Sequence, residues 1–497
     1  MLYDNKIWMA VGDRPVYLLP HQANRHGLIA GASGTGKTIT LKVMAESFSS
    51  LGVPVFLADI KSDLAGMCMP GEDSESMQKR ITKLGLGEHF SYTTFPTRFW
   101  DIWGEFGHPV KTTVTDMGPY LLARLLDLTE VQSDALQMIF RIADEQGMLL
   151  LDLKDLRAMV RYVGENRKAF ANEYGSVAPQ TIGALQRSLL TLEDSGGDLF
   201  FGEPALDIFD WIRTDSTGRG YINILHSVKL AQNPTLYTTF MLWMLSELYE
   251  RMPEAGDLEK PRIVFFFDEA HMLFTDAPKA LLQKVEQIIK LIRSKGVGIY
   301  FISQSPSDLP DPVLAQLSNR VQHALRAYTP AEQKAVRTAA DTFRPNPNFA
   351  TKDVITELST GEALVSFLDE SGAPSVVERA WILPPQSKMG TIPDDVRKKV
   401  IDNSDLFIKY SQQMDRESAY ELLVKDEEAK LAAIEKAEAE KAAAKEAEEK
   451  NKAAKATTQK VTKVVTKAVS RTANSALSAI GREIGRSIIR GIFGSSK

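Results

Sequence analysis

A chain of 497 residues, 44% apolar and 25% charged, can bury one large α/β domain with additions or two to three smaller ones, and its composition excludes a disordered chain. A single cysteine, Cys68, excludes an intramolecular disulfide and fits a reducing compartment; with no apolar run near 18 residues and no signal-like N-terminus, a cytoplasmic protein without a spanning helix is expected. The net charge of −5 gives no general support for nucleic-acid binding, although it is unevenly spread: between residues 461 and 497 seven basic residues face one acid, Glu483.

In chain order, the first strong pattern is the apolar run 27–30, then Gly31-Ala32-Ser33-Gly34-Thr35-Gly36-Lys37-Thr38, then a helix-like stretch over 39–48. This matches G-x-x-x-x-G-K-[ST] in the strand-loop-helix order a phosphate-binding loop requires. The three glycines let the backbone curl so that its NH groups, those of Ala32, Ser33 and Thr35 included, point at the phosphates of ATP. Lys37 adds a point charge, and the Thr38 hydroxyl can ligate Mg²⁺.

Further apolar runs over 53–58, 221–225, 263–267 and 298–302 read as buried parallel strands, and helical patterns lie between most of them. Residues 67–218 read as a mainly helical insertion: Thr129 and Gln132 make a capping box ahead of 135–146, Asp152 can cap 153–163, and 178–192 is amphipathic. The ATPase core is therefore expected over 1–66 and 219–385. Asn233-Pro234 opens a helix reaching Arg251, and the last core strands fall near 363–368 and 375–381. A helical connection is expected over 386–425. An Ala/Glu/Lys-rich helix or spacer without heptads follows over 426–460, and a basic amphipathic tail over 461–497. The tail suits docking on a protein surface, nucleic acid or an anionic membrane.

Three strand ends deliver polar residues to the edge where open α/β sheets bind ligands. Asp268 and Glu269 follow the run 263–267, which fits a carboxylate in the Mg²⁺ shell beside one that activates water. Gln304 ends the next strand, where its amide can contact the γ-phosphate or the water. Asp59 ends 53–58 and can lie beside the nucleotide or hold Lys61, and His271 can couple the acid pair to movement or serve structure alone.

The run from Lys290 through Arg293, Gly296 and Gly298 to Gln304, together with the two nucleotide motifs, resembles the HerA and FtsK superfamily of P-loop motor ATPases. The match is closer to the bacterial HerA-like family of the YjgR type, over Asn24-Arg-His-Gly-Leu-Ile-Ala-Gly, residues 261–274, Asn319-Arg-Val-Gln-His-Ala-Leu-Arg326 and Gly361-Glu-Ala-Leu. The resemblance implies a RecA-like P-loop fold, a homo-oligomeric ring that is a hexamer in that family, and DNA as a partner. It makes Arg293 an arginine finger acting in the neighbouring subunit, with Arg320 as runner-up. Family members that partner a nuclease carry an N-terminal β-barrel, whereas residues 1–26 precede strand 27–30 here, so the resemblance does not extend to a nuclease partner. A helicase-like nucleic-acid translocase is the leading expectation. The alternative is an ATP-gated interaction protein that binds through its tail.

Overall fold

Short apolar runs with β-branched and aromatic residues pair here into one mixed sheet. The computed structural model describes residues 1–275, 279–412, 414 and 416–459. Thirteen strands follow along those residues: β1 Leu2–Tyr3, β2 Lys6–Val11, β3 Pro15–Leu18, β4 Gly27–Ala30, β5 Val55–Asp59, β6 Thr97–Asp101, β7 His108–Pro109, β8 Ile222–His226, β9 Ile263–Phe267, β10 Val297–Ser303, β11 Asn319–Gln322, β12 Glu362–Ser366 and β13 Glu378–Ile382. Their spatial order is β1-β2-β13-β12-β11-β4-β10-β9-β5-β8-β6-β7, with β3 paired to β2. From β11 to β7 every pairing is parallel, and from β12 outward every pairing is antiparallel.

The central strands are covered on both faces, so their side chains alternate between two cores. Leu28, Ala30, Phe56, Phe265 and Phe267 join a core shared with the helical region, while Ile29, Leu57, Val264 and Phe266 pack on the side of the helix Lys37–Ser50. This is a RecA-like α/β architecture, and it brings the carboxyl ends of β4, β10, β9 and β5 side by side.

The expected boundary of the insertion at residue 67 is corrected. Thr97–Asp101 and His108–Pro109 extend the sheet beyond β8, and helices dominate only from Val114. There the expected caps are present: Thr129 with Gln132 opens Glu130–Glu145, and Asp152 with Asp155 opens Leu153–Glu165. Asn233 accepts the Leu236 NH ahead of Pro234–Arg251.

The expected helical connection over 386–425 carries helices at Asp394–Asp402 and Phe407–Ser411, and its residues up to Leu423 belong to the compact unit that starts at Met1. Arg397 lies over the Phe99 ring and Tyr410 meets Trp100 edge-on. The buried Arg98 guanidinium of β6 is gripped by both Asp405 oxygens, at 2.6 and 2.8 Å. The second unit starts at Val424. Its described part is helical, Asp426 pairs with Lys430 at 2.6 Å, and residues 427–447 are exposed throughout. The predicted tail over 461–497 lies outside the described residues.

Candidate nucleotide site

The glycine-rich loop leaves β4 at the centre of the carboxyl edge and enters the helix Lys37–Ser50. Gly31 has φ +155°, and a Cβ on it would stand 2.5 Å from the Cβ of His323, so only glycine lets the strand end pass that close. The Lys37 ammonium turns back over the loop and donates to the Gly31 and Ala32 carbonyls at 2.6 and 3.1 Å. Burial pushes its pKa down and Lys61 nearby adds to this, while Glu269, Asp268 and Asp308 oppose it. Thr35 closes the loop by donating to Ala32 O at 2.7 Å and by accepting the Gly361 NH on its carbonyl.

Beside this cradle, β9 ends in Asp268 and Glu269. Asp268 is buried, and burial lifts its carboxyl above the usual range although Lys61 pulls the other way. Its Oδ1 accepts the Glu269 NH at 2.9 Å. Glu269 occupies the left-handed region at φ +47°, unusual for a side chain of its size. Its Oε1 accepts from Lys61 Nζ at 2.6 Å, and its Oε2 lies 3.4 Å from His271 Nδ1 without hydrogen-bonding geometry. Burial acts to raise the Glu269 carboxyl, but Lys61, then His271 and Gln304, outweigh it and hold it below its ordinary range. Gln304, just past β10, is exposed on this edge.

The loop after β5 departs from expectation. Asp59 does not hold Lys61: it is buried, accepts the backbone NH groups of Asp63 and Leu64, and is pushed up to about 6 by burial and by Asp63. It shapes the loop that presents Lys61 to Glu269, and Lys61 also lies 3.9 Å from Asp268 Oδ2.

Arg293 is not brought to the cradle of its own chain. It sits exposed in the turn Arg293–Lys295 that precedes β10, at the amino edge of the sheet, and lines a cleft of about 380 Å³ with Arg25, His26 and Lys290. Beneath that turn His26 accepts the Ile299 NH at 3.1 Å and lies 2.8 Å from Ile289 O. Arg320, the runner-up, is occupied within its own chain by the carbonyls of Leu317, Leu314 and Thr342.

Two residues beneath and beside the site were given no role by the sequence. Lys61 stands in an unremarkable loop, and only its distance of two residues from the strand-ending Asp59 hinted at the edge. His323, fully buried, bridges the cradle to β12: Nδ1 donates to Glu362 O at 3.0 Å and Nε2 accepts from the Thr40 hydroxyl at 2.7 Å. No local pattern distinguishes such a histidine from any polar residue at a strand end.

Among the described residues there is no cluster of three or more His, Cys, Asp or Glu side chains suited to a metal, and no helix long and apolar enough to cross a membrane. The Asp268 carboxylate and Thr38 hydroxyl are hard oxygen donors. A pair of that kind suits Mg²⁺, which keeps waters and phosphate oxygens in its shell rather than a full protein cage.

Comparison with known proteins agrees with the fold. HerA, a DNA double-strand break repair helicase of Sulfolobus acidocaldarius, is 21% identical over 359 residues, 69% of this chain, and the chain spans 62% of that relative's length. Two solved forms of a bacterial conjugative coupling protein share the fold. Unbound TrwBdeltaN70 is 14% identical with a TM-score of 0.52, and TrwB in complex with ADP and Mg²⁺ is 13% identical with the same score; each likeness covers 79% of this chain and 92% of the other. The family described as helicase HerA-like, C-terminal, matches residues 4–497, and with that span, the phosphate loop and the RecA-like sheet, the chain belongs to the HerA-like family.

Proposed function

We propose that this protein is a Mg²⁺-dependent ATPase that works as an oligomeric motor on nucleic acid. The observation that carries the reading is the convergence of Lys37 on the phosphate loop with Asp268 and Glu269 at the ends of strands on the same sheet edge. The loop NH groups and Lys37 hold the β- and γ-phosphates, and Thr38 with Asp268 would hold Mg²⁺. That ion, when bound, draws charge from the phosphate oxygens. Glu269 orients a water and takes its proton as the water oxygen bonds to the γ-phosphorus and the bond to the β-phosphate oxygen breaks. Gln304 contacts the γ-phosphate or that water. Arg293, on the opposite edge, completes the site of a neighbouring chain.

HerA's role as a DNA double-strand break repair helicase and TrwB's complex with ADP and Mg²⁺ support the substrate and the nucleotide. The decisive experiment measures ATP hydrolysis with and without single-stranded DNA, duplex DNA and RNA at two salt concentrations. Stimulation by a nucleic acid that weakens as salt rises is expected, because phosphate contacts release counterions. Hydrolysis that Glu269→Gln leaves unchanged would refute the assignment of the base.

A further inference from the structure

The site holds an ion pair that the hydrolytic roles above do not use. Lys61 Nζ is 2.6 Å from Glu269 Oε1 and 3.9 Å from Asp268 Oδ2, so one ammonium serves both members of the acid pair. The pairing is reached from an adjacent strand: β5 runs parallel to β9, with Ala58 opposite Phe267, which sets the loop after Asp59 beside Asp268 and Glu269. Asp59, buried beneath the loop, fixes its backbone through the Asp63 and Leu64 NH groups, so Lys61 projects from a braced turn rather than a free one.

Two features make this pair exchangeable. Lys61 is 46% exposed, and an ion pair with one partner half in water is weak. A second ammonium, Lys37, lies on the phosphate loop against the Gly31 and Ala32 carbonyls, and the charge of Lys61 reaches it. A terminal phosphate placed there carries more negative charge than the Glu269 carboxylate and offers three oxygens. A divalent ion beside Asp268 would at the same time repel the Lys61 ammonium from the acid pair.

We propose that Lys61 is a γ-phosphate ligand that is otherwise paired with Glu269, so that arrival of ATP, and not ADP, moves its ammonium from the carboxylate to the phosphate and frees Glu269 to orient water. This rests on the nucleotide reading above and adds to it a residue that tells triphosphate from diphosphate and links that distinction to release of the base.

The test is equilibrium binding without turnover, on the full chain, using a non-hydrolysable ATP analogue and ADP, each with Mg²⁺. Lys61→Met is expected to weaken analogue binding about tenfold and ADP binding less than twofold, while Lys61→Arg retains the discrimination. Glu269→Gln removes the competitor for the ammonium and is expected to tighten analogue binding about threefold with ADP unchanged, but not when Lys61→Met is also present. Equal weakening of both nucleotides by Lys61→Met, no weakening of either, or a Glu269→Gln effect that survives Lys61→Met overturns the inference and leaves the nucleotide site standing. An unsubstituted protein that binds neither nucleotide overturns both. Retained ADP binding shows that each variant is folded.

Discussion

Replacing His323 by leucine separates what this histidine does for the cradle at neutral pH from what it costs in acid. In the folded protein its ring is neutral: burial lowers its pKa from 6.5 to about 4, the Glu362 carbonyl opposes this, and Lys37 and Arg80 reinforce it. Leucine removes two hydrogen bonds. The Glu362 carbonyl loses a partner, worth about 1–3 kcal/mol for a buried group, whereas the Thr40 hydroxyl, its one proton released from His323, can turn to the Gly36 carbonyl at 3.3 Å and loses less than about 1 kcal/mol. A deficit of about 2–3 kcal/mol at pH 7.5 follows. Below pH 6.5 the unfolded chain binds a proton at this histidine that the folded chain refuses until about pH 4, so the unsubstituted protein loses stability as pH falls. Integrated to pH 4.5 the loss is about 2.5 kcal/mol, and the leucine variant is spared it. Urea unfolding at the two pH values should therefore show a clear gap at 7.5 that nearly closes at 4.5. The other buried histidines, His26 and His108, also lowered to about 4, titrate alike in both proteins and cancel. A gap of equal size at both pH values would refute the reasoning.

Three further outcomes follow from named contacts. A Cβ at Gly31 would meet His323 at 2.5 Å and Thr35 Oγ1 at 3.0 Å, whereas one at Gly34, φ +76°, would meet no heavy atom within 4 Å. Gly34→Ala should cost about 1–2 kcal/mol of backbone strain and Gly31→Ala clearly more, read by thermal unfolding; equal costs would show that His323 does not crowd the loop. Asp405→Ala leaves the buried Arg98 guanidinium with the Asp210 carbonyl at 2.8 Å and the Tyr221 ring, and should destabilise by about 2–3 kcal/mol in urea unfolding, below the full cost for a buried pair because Asp405 is half exposed. Mixing inactive Lys37→Ala chains with inactive Arg293→Ala chains should restore ATP hydrolysis, since an intact cradle can then face an intact arginine; a mixture that stays inactive removes the shared-site reading.

The central sheet could be read from the chain because β4, β5, β8, β9 and β10 are buried on both faces and so appear as apolar runs. Two of the strands that escaped notice are buried by pairing polar groups. Arg98 lies inside β6 and becomes compatible with a strand only once Asp405, some 300 residues later, neutralises it. Asn319 opens β11 and is buried because its amide donates to the Gln22 and His26 carbonyls. The helix caps needed no such help, since each is closed within a few residues. For the site, the phosphate loop, Asp268, Glu269 and Gln304 lie on one edge as their positions at strand ends imply. Lys61 and His323 act through partners 208 and 283 residues away, which no spacing rule reaches.

Strand β10 has a consequence for how the protein behaves on dilution. Its seven residues span about 23 Å between the Arg293 turn and Gln304. If both ends serve hydrolysis, they serve different nucleotides, and the catalytic unit is a junction between chains rather than a chain. Occupancy of the phosphate loop would then be indifferent to protein concentration, while turnover per chain would climb with it and fade as junctions come apart. A rate that rises more steeply than first order in protein, over a range where nucleotide binding stays constant, is the kinetic signature of a strand with one end in each of two sites.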